Sequence, residues 1–290
     1  WLAVFGTMLV VAGLSILATH ALAGPLMRLE KIDKQLAAGE LHQGLQIRQH
    51  VTFQGGGVAV LYLTVFAAFR LYQLVPQLAA FALMVLVCAL SCALALLQNA
   101  RALAFVAFAG GFATPLLLST GAGSHVALFS YYTLLNLAIL FIATRRAWRE
   151  LNLLGFVATF GTAGAWGWMR YSPEHYASAQ AFLIGFIAIF IAASILYARA
   201  TPLRLGWGVS HAVDHTLVFG TPLLGFGLQA GLVQPFWHGA AFSALGFGAT
   251  YLLLAAALLR RAADGYRLLV ECFLALGVGF VTLAVPLALD

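Results

Sequence analysis

Few ionisable side chains fall inside the long apolar stretches of this sequence, and two of them are carboxylates. Asp214 and Glu271 each lie about one helical turn inside such a stretch. Ionisable groups at membrane depth are costly and often functional, so a polar pocket shared by both carboxylates is one interpretation. The alternative is that each carboxylate lies near a helix N-terminus, where the helix dipole favours negative charge.

A second polar set lies in connections and helix ends, on the side of the membrane that we predict to be opposite to Asp214 and Glu271. It includes His125, Arg170 and His175. Imidazole and guanidinium groups suit an anionic or sugar-bearing head group, whereas an ordinary hydrated rim needs no ligand. His211 and His215 flank Asp214 on one helix face without a third strong ligand, so we predict neither a metal nor a cofactor. No Walker, GxSxG or HExxH motif names a reaction.

Two Thr-Pro pairs occur in similar settings, FATPLLL and FGTPLLG. Thr114-Pro115 and Thr221-Pro222 predict helix kinks that face protein, since proline removes one helical hydrogen bond and lipid offers no substitute. Gly110 beside the first pair permits close helix approach. Broken helices of this kind bracket substrate sites in transporters, although ordinary bundle packing explains most prolines in membrane helices.

The composition indicates that these residues belong to a protein embedded in lipid. Hydrophobic residues make up 63% of the 290 residues, charged residues 8%, and the mean hydropathy is +0.97. A soluble domain has far more charge, so the fold is expected to be an all-α, polytopic transmembrane bundle. The basic residues are thinly spread between apolar stretches, which argues against a nucleic-acid partner.

Ten stretches have the length and composition of a membrane-spanning helix. They cover residues 1–22, 55–73, 78–97, 102–120, 126–143, 151–169, 178–198, 212–229, 239–259 and 267–287. We therefore predict a first transmembrane helix in 1–24, a cytoplasmic connection with an amphipathic interfacial helix in 25–54, and a nine-helix domain in 55–290. The alternative to the interfacial helix is a solvated linker with ordinary charge. The boundary residues Trp1 and Asp290 lead us to expect that the chain continues at both ends.

The basic residues divide unevenly between alternate connections. All but two of the 15 Lys and Arg residues fall on one side: Arg28, Lys31, Lys34, Arg48, Arg101, Arg145, Arg146, Arg149, Arg199, Arg204, Arg260, Arg261 and Arg267. Arg70 and Arg170 fall on the other. This asymmetry predicts that the basic side is cytoplasmic, with the N-terminus of the first helix outside.

An aromatic residue, any residue and a threonine recur in alternate helices. The five occurrences end at Thr64, Thr114, Thr162, Thr221 and Thr282. One interpretation is a tandem repeat of two-helix hairpins. The other is chance, because phenylalanine is abundant and Tyr131-Tyr132-Thr133 occurs in a helix of the opposite direction.

Several long segments carry a family resemblance. They include GGGVAVLYLTVFAAFRLY at 55–72, GGFATPLLLSTGAGSHVALFSYYTLLNL at 110–137 and VDHTLVFGTPLLGFGLQA at 213–230. These segments resemble bacterial predicted membrane proteins grouped as domain of unknown function 2339. The resemblance implies a many-helix protein of the bacterial inner membrane, and it assigns no activity to any residue.

Together these features favour binding or translocation of a small or lipid-linked substrate. Thr114, Pro115, Thr221 and Pro222 are the candidate residues of the kinks. A membrane-embedded enzyme or accessory factor of envelope glycan or lipid metabolism and a membrane scaffold are the alternatives. The expected partners are membrane lipids, a lipid-linked glycan or other membrane proteins.

The charge asymmetry gives a test of topology. In a cysteine-free background, Ala147→Cys in the connection 144–150 should react with a thiol reagent only after the membrane is permeabilised. Ser172→Cys in the connection 171–177 should react in intact cells. Equal external labelling of both cysteines would contradict the orientation.

Overall fold

The computed structural model describes residues 42–119, 124–146, 148–200, 213, 215–260 and 266–289. In this part of the chain there are nine α-helices and no strand. They are α1 (His42–Arg70), α2 (Gln77–Gln98), α3 (Arg101–Leu117), α4 (His125–Arg145), α5 (Arg149–Arg170), α6 (Tyr176–Ala200), α7 (Thr221–Leu232), α8 (Gly239–Arg260) and α9 (Arg267–Leu289). A 3-10 turn, Pro173–His175, precedes α6, and a π-helical segment, Thr216–Gly220, precedes α7.

The all-helical class predicted from the sequence is confirmed. Nine predicted stretches coincide with these helices, and α1 begins at His42, ahead of the apolar stretch at 55–73. The predicted helices at 1–22 and within 25–41 lie outside the described residues. Five described helices, α2, α4, α6, α8 and α9, are long and apolar enough to cross a membrane. The total of about ten spans stays a prediction.

Local sequence signals explain two of the helix boundaries. Helix α2 ends because Asn99 adopts a left-handed conformation, with φ of 54°, and its backbone N–H returns to Ala95 and Leu96 carbonyls. Helix α4 begins after Ser124, whose Oγ accepts a hydrogen bond from the Val126 N–H at 3.2 Å.

The chain forms two compact units, one ending at residue 123 and the other beginning at Ser124. In the first unit, α1 packs against α2 and α3. The Tyr62 hydroxyl of α1 donates to the Ala107 carbonyl of α3 at 3.0 Å, and its ring lies over Gly110. Any side chain at Gly110 would overlap that ring, so the predicted close approach is confirmed at this glycine.

In the second unit, the last helices pack as antiparallel neighbours. Helices α8 and α9 approach closely where Gly248 meets Gly277, since a Cβ at either glycine would lie 3.1 to 3.2 Å from the other's carbonyl oxygen. Helices α7 and α8 pair through Gln229, whose Nε2 donates to Ser243 Oγ at 3.3 Å. One turn further in, the Phe226 ring packs on Phe247 with centroids 5.7 Å apart.

The recurring threonines have different surroundings. Thr64 and Thr282 are exposed, and each donates to a carbonyl of its own helix. Thr114, Thr162 and Thr221 are buried. Equivalent positions of a tandem repeat should share an environment, and these five positions do not. The tandem repeat of two-helix hairpins is therefore not confirmed and stays a prediction.

The contact between Gly110 and Tyr62 makes a mutational prediction. Gly110→Ala should lower the melting temperature in detergent, because the added methyl group displaces the Tyr62 ring at a cost of about 1–3 kcal/mol. Gly57→Ala in α1 is the matched control, since no atom lies within 4 Å of its added Cβ. Equal melting temperatures of the two variants would show that the Gly110 contact is not tight.

Candidate functional site

The principal grouping of polar and aromatic side chains lies at one end of the second unit, where α4 and α6 begin and α5 ends. His125, Trp166 and His175 meet there and are here called the histidine cluster. All three are half-buried. Two tryptophans at the same end, Trp168 and Trp237, are 91% and 87% exposed. Exposed tryptophans at helix ends are typical of a membrane–water interface.

The rings of the histidine cluster are nearly parallel. The His125 and His175 centroids lie 4.4 Å apart at 19°, and the His125 and Trp166 centroids lie 5.0 Å apart at 31°. Phe129 packs edge-on beneath Trp166 at 5.3 Å. Nitrogen lone pairs lie in the ring planes, so the stacked imidazoles do not converge on one point as metal ligands would. In the described residues, no three His, Cys, Asp or Glu side chains form a group that could hold a metal ion.

A short hydrogen-bond chain fixes the tautomer of His125. The Ser178 hydroxyl donates its single proton to the His175 carbonyl at 3.0 Å. Its oxygen lies 2.8 Å from His125 Nε2 and therefore accepts from that nitrogen. Neutral His125 thus carries its proton on Nε2 and has Nδ1 as a hydrogen-bond acceptor.

A buried polar ladder between α4 and α5 positions the cluster. The Tyr132 hydroxyl lies 3.1 Å from Thr162 Oγ1, and Asn136 Nδ2 donates to Thr159 Oγ1 at 2.7 Å. Both pairs follow one antiparallel register, which also brings Arg170 to the level of His125. Arg170 is exposed at that level.

A hydrogen bond from Tyr171 links the same end of the unit to α7. The Tyr171 hydroxyl donates to the Leu232 carbonyl at 3.0 Å, and partial burial raises the pKa of this hydroxyl. Its ring packs against Trp166 at 6.2 Å. His238 is at this end too, but its ring lies on Trp237 at 4.0 Å, outside the histidine cluster.

The structure describes only one of the two predicted carboxylates. Glu271 is exposed on α9 and accepts from Arg267 Nε at 3.1 Å, four residues earlier. Asp214 lies outside the described residues. The shared pocket of Asp214 and Glu271 stays a prediction, as does its alternative, the capping of separate helices.

The threonines of both Thr-Pro pairs face protein, and the predicted kinks themselves stay predictions. Thr114 is 0% exposed and Thr221 is 1% exposed. Thr114 Oγ1 donates to the Gly110 carbonyl at 2.8 Å, and α3 continues past Pro115. Before Pro222 the backbone forms the π-helical segment Thr216–Gly220, an irregularity often found at functional sites. The two pairs belong to different units.

Some residues of the site were not singled out from the sequence. Trp166, Ser178 and Phe129 complete the surroundings of His125 and His175. A signal existed for each of the last two: Phe129 follows His125 by four residues on one helix face, and Ser178 follows His175 by three. Trp166 could be identified only once α5 was placed against α4.

The all-helical fold, with several helices apolar enough to span a bilayer, defines a multi-pass membrane protein. The family described as "Predicted membrane protein (DUF2339)" matches residues 1–290, and the chain belongs to this family. The family resemblance noted in the sequence is thereby confirmed. No curated protein and no solved structure matches the chain.

The polar ladder can be tested by removing one hydroxyl. Thr159→Val should lower the free energy of unfolding by about 1–3 kcal/mol, because it leaves the buried Asn136 amide without its acceptor. Thr133→Val is the control, since Thr133 Oγ1 donates only to Phe129 O of its own helix. Thermal unfolding in detergent measures both variants. A Thr159 variant as stable as the Thr133 variant would show that the ladder contributes little.

Proposed function

We propose that this protein binds the sugar-bearing head group of a lipid-linked substrate at the histidine cluster. The observation that carries the proposal is the near-parallel arrangement of two imidazoles and an indole, half-buried at the ends of three helices. Flat rings offer apolar faces to the C–H face of a sugar, and His125 Nδ1 can accept a hydrogen bond from a sugar hydroxyl. Arg170, at the same level, would favour an anionic linkage.

The position of the cluster supports an amphiphilic ligand. A lipid-linked head group lies at the membrane interface while its chain stays in the bilayer. The exposed Trp168 and Trp237 support the same interfacial depth for the histidine cluster. We place the protein in the bacterial inner membrane with this end outside, following the charge asymmetry of the sequence. Such binding suits an accessory factor of envelope glycan or lipid metabolism.

Translocation of the bound substrate is the second candidate function. It is favoured by the π-helical break before the buried Thr221-Pro222 pair, because irregular helices are common in transporters. Binding at the histidine cluster would be the first step of either function.

The binding proposal is tested with two amphiphiles of equal chain length. Protein in lipid nanodiscs is titrated with dodecyl glucoside or dodecyl phosphocholine, and bound molecules are counted by native mass spectrometry. We expect a preference for the glucoside. His125→Ala and His175→Ala should each weaken glucoside binding by about tenfold, equivalent to roughly 1.4 kcal/mol.

His238→Ala is the matched control. This histidine lies at the same end of the unit but contacts Trp237 instead of the cluster. It should leave glucoside binding unchanged. Equal binding of both amphiphiles, or binding that is insensitive to both cluster variants, would contradict the proposal.

A further inference from the structure

Two buried hydroxyl groups of the second unit have no hydrogen-bond partner among the described residues. They are Thr221 Oγ1 on α7 and the Tyr251 hydroxyl on α8, and each residue is 1% exposed. A buried hydroxyl without a partner is destabilising, so two in one unit require a physical explanation.

Comparable side chains elsewhere in the chain do find partners. Several hydroxyls donate to the carbonyl four residues earlier in their own helix: Thr64, Thr114, Thr133, Ser194 and Thr250. Thr221 directly follows the π-helical segment, in which carbonyl positions differ from those of an α-helix. Its backbone N–H still donates to the Leu217 carbonyl, but its hydroxyl does not. Other tyrosine hydroxyls bond to neighbours, as Tyr132 does to Thr162.

The two residues lie at the same level of one antiparallel helix pair. The contact of Gln229 with Ser243 sets the register of α7 and α8. About two turns further along α7, that register brings Thr221 to the level of Tyr251. The hydroxyls of two residues at one level would supply the minimum number of polar partners that an internal water molecule needs.

The packing next to this level is tight. Between it and the Gln229–Ser243 contact, Gly225 packs tightly: an added Cβ would lie 2.9 Å from Ile187 Cδ1 and 3.6 Å from Phe247 Cε1. This apolar contact separates the level of Gln229 and Ser243 from the level of Thr221 along the α7–α8 pair. We propose that Thr221 and Tyr251 form an internal hydration site, in which one water molecule bridges their hydroxyl groups beside the π-helical segment.

The hydration site is tested by X-ray radiolytic labelling of the intact chain in lipid nanodiscs. Hydroxyl radicals formed from a bound water modify the side chains next to it. Tyr132 is the matched control, because it is also 1% exposed but its hydroxyl is paired with Thr162. Tyr251 should be labelled severalfold faster than Tyr132, and Thr221→Val should lower the Tyr251 rate to that of Tyr132. Equal, slow labelling of both tyrosines in the unmutated protein would overturn the proposal.

Thermal unfolding gives an independent measurement with two nearly isosteric substitutions. If a water joins the hydroxyls, Thr221→Val and Tyr251→Phe should each lower the melting temperature, and the double variant should lose less than the sum. If the hydroxyls are dry, each substitution removes an unpaired buried group and should raise the melting temperature. The second result would overturn the proposal.

Discussion

A polar group inside the bilayer has to find its partner within the protein, because hydrocarbon offers none. Helix α4, which is long and apolar enough to cross a membrane, pairs its buried polar side chains with those of α5, through Tyr132 with Thr162 and Asn136 with Thr159. These contacts fix the register of the two helices, since sliding either helix would leave buried groups unpaired. The same register holds the histidine cluster at the helix ends, so the site depends on a ladder that lies deeper in the unit.

Close approach of helices is the second condition of the fold. In the first unit, Tyr62 can reach the Ala107 carbonyl only because Gly110 leaves room for its ring. In the second unit, Gly248 and Gly277 play this role between α8 and α9. Between helices that are long and apolar enough to cross a membrane, as α8 and α9 are, such contacts gain dispersion energy where burial of apolar surface gains little.

The two candidate sites of the second unit differ in their access to water. The histidine cluster is half-buried at helix ends, where an imidazole can exchange protons and meet a ligand. Thr221 and Tyr251 are each 1% exposed and lie one helical turn beyond the close contact of Gly225 with Ile187. The proposed head-group site and the proposed hydration site therefore consist of different residues.

The sequence by itself determined the helical class, the positions of nine described helices and the family, because twenty-residue apolar stretches and long family segments are local features. It also indicated that His125 and His175 belong to one end of the bundle. It did not indicate that their rings stack with Trp166, or that Thr162 and Thr221 occupy unlike surroundings despite the same local motif. Only the tertiary structure decided these points, because hydrogen-bond partners and ring contacts depend on the register between helices, which apolar periodicity leaves open.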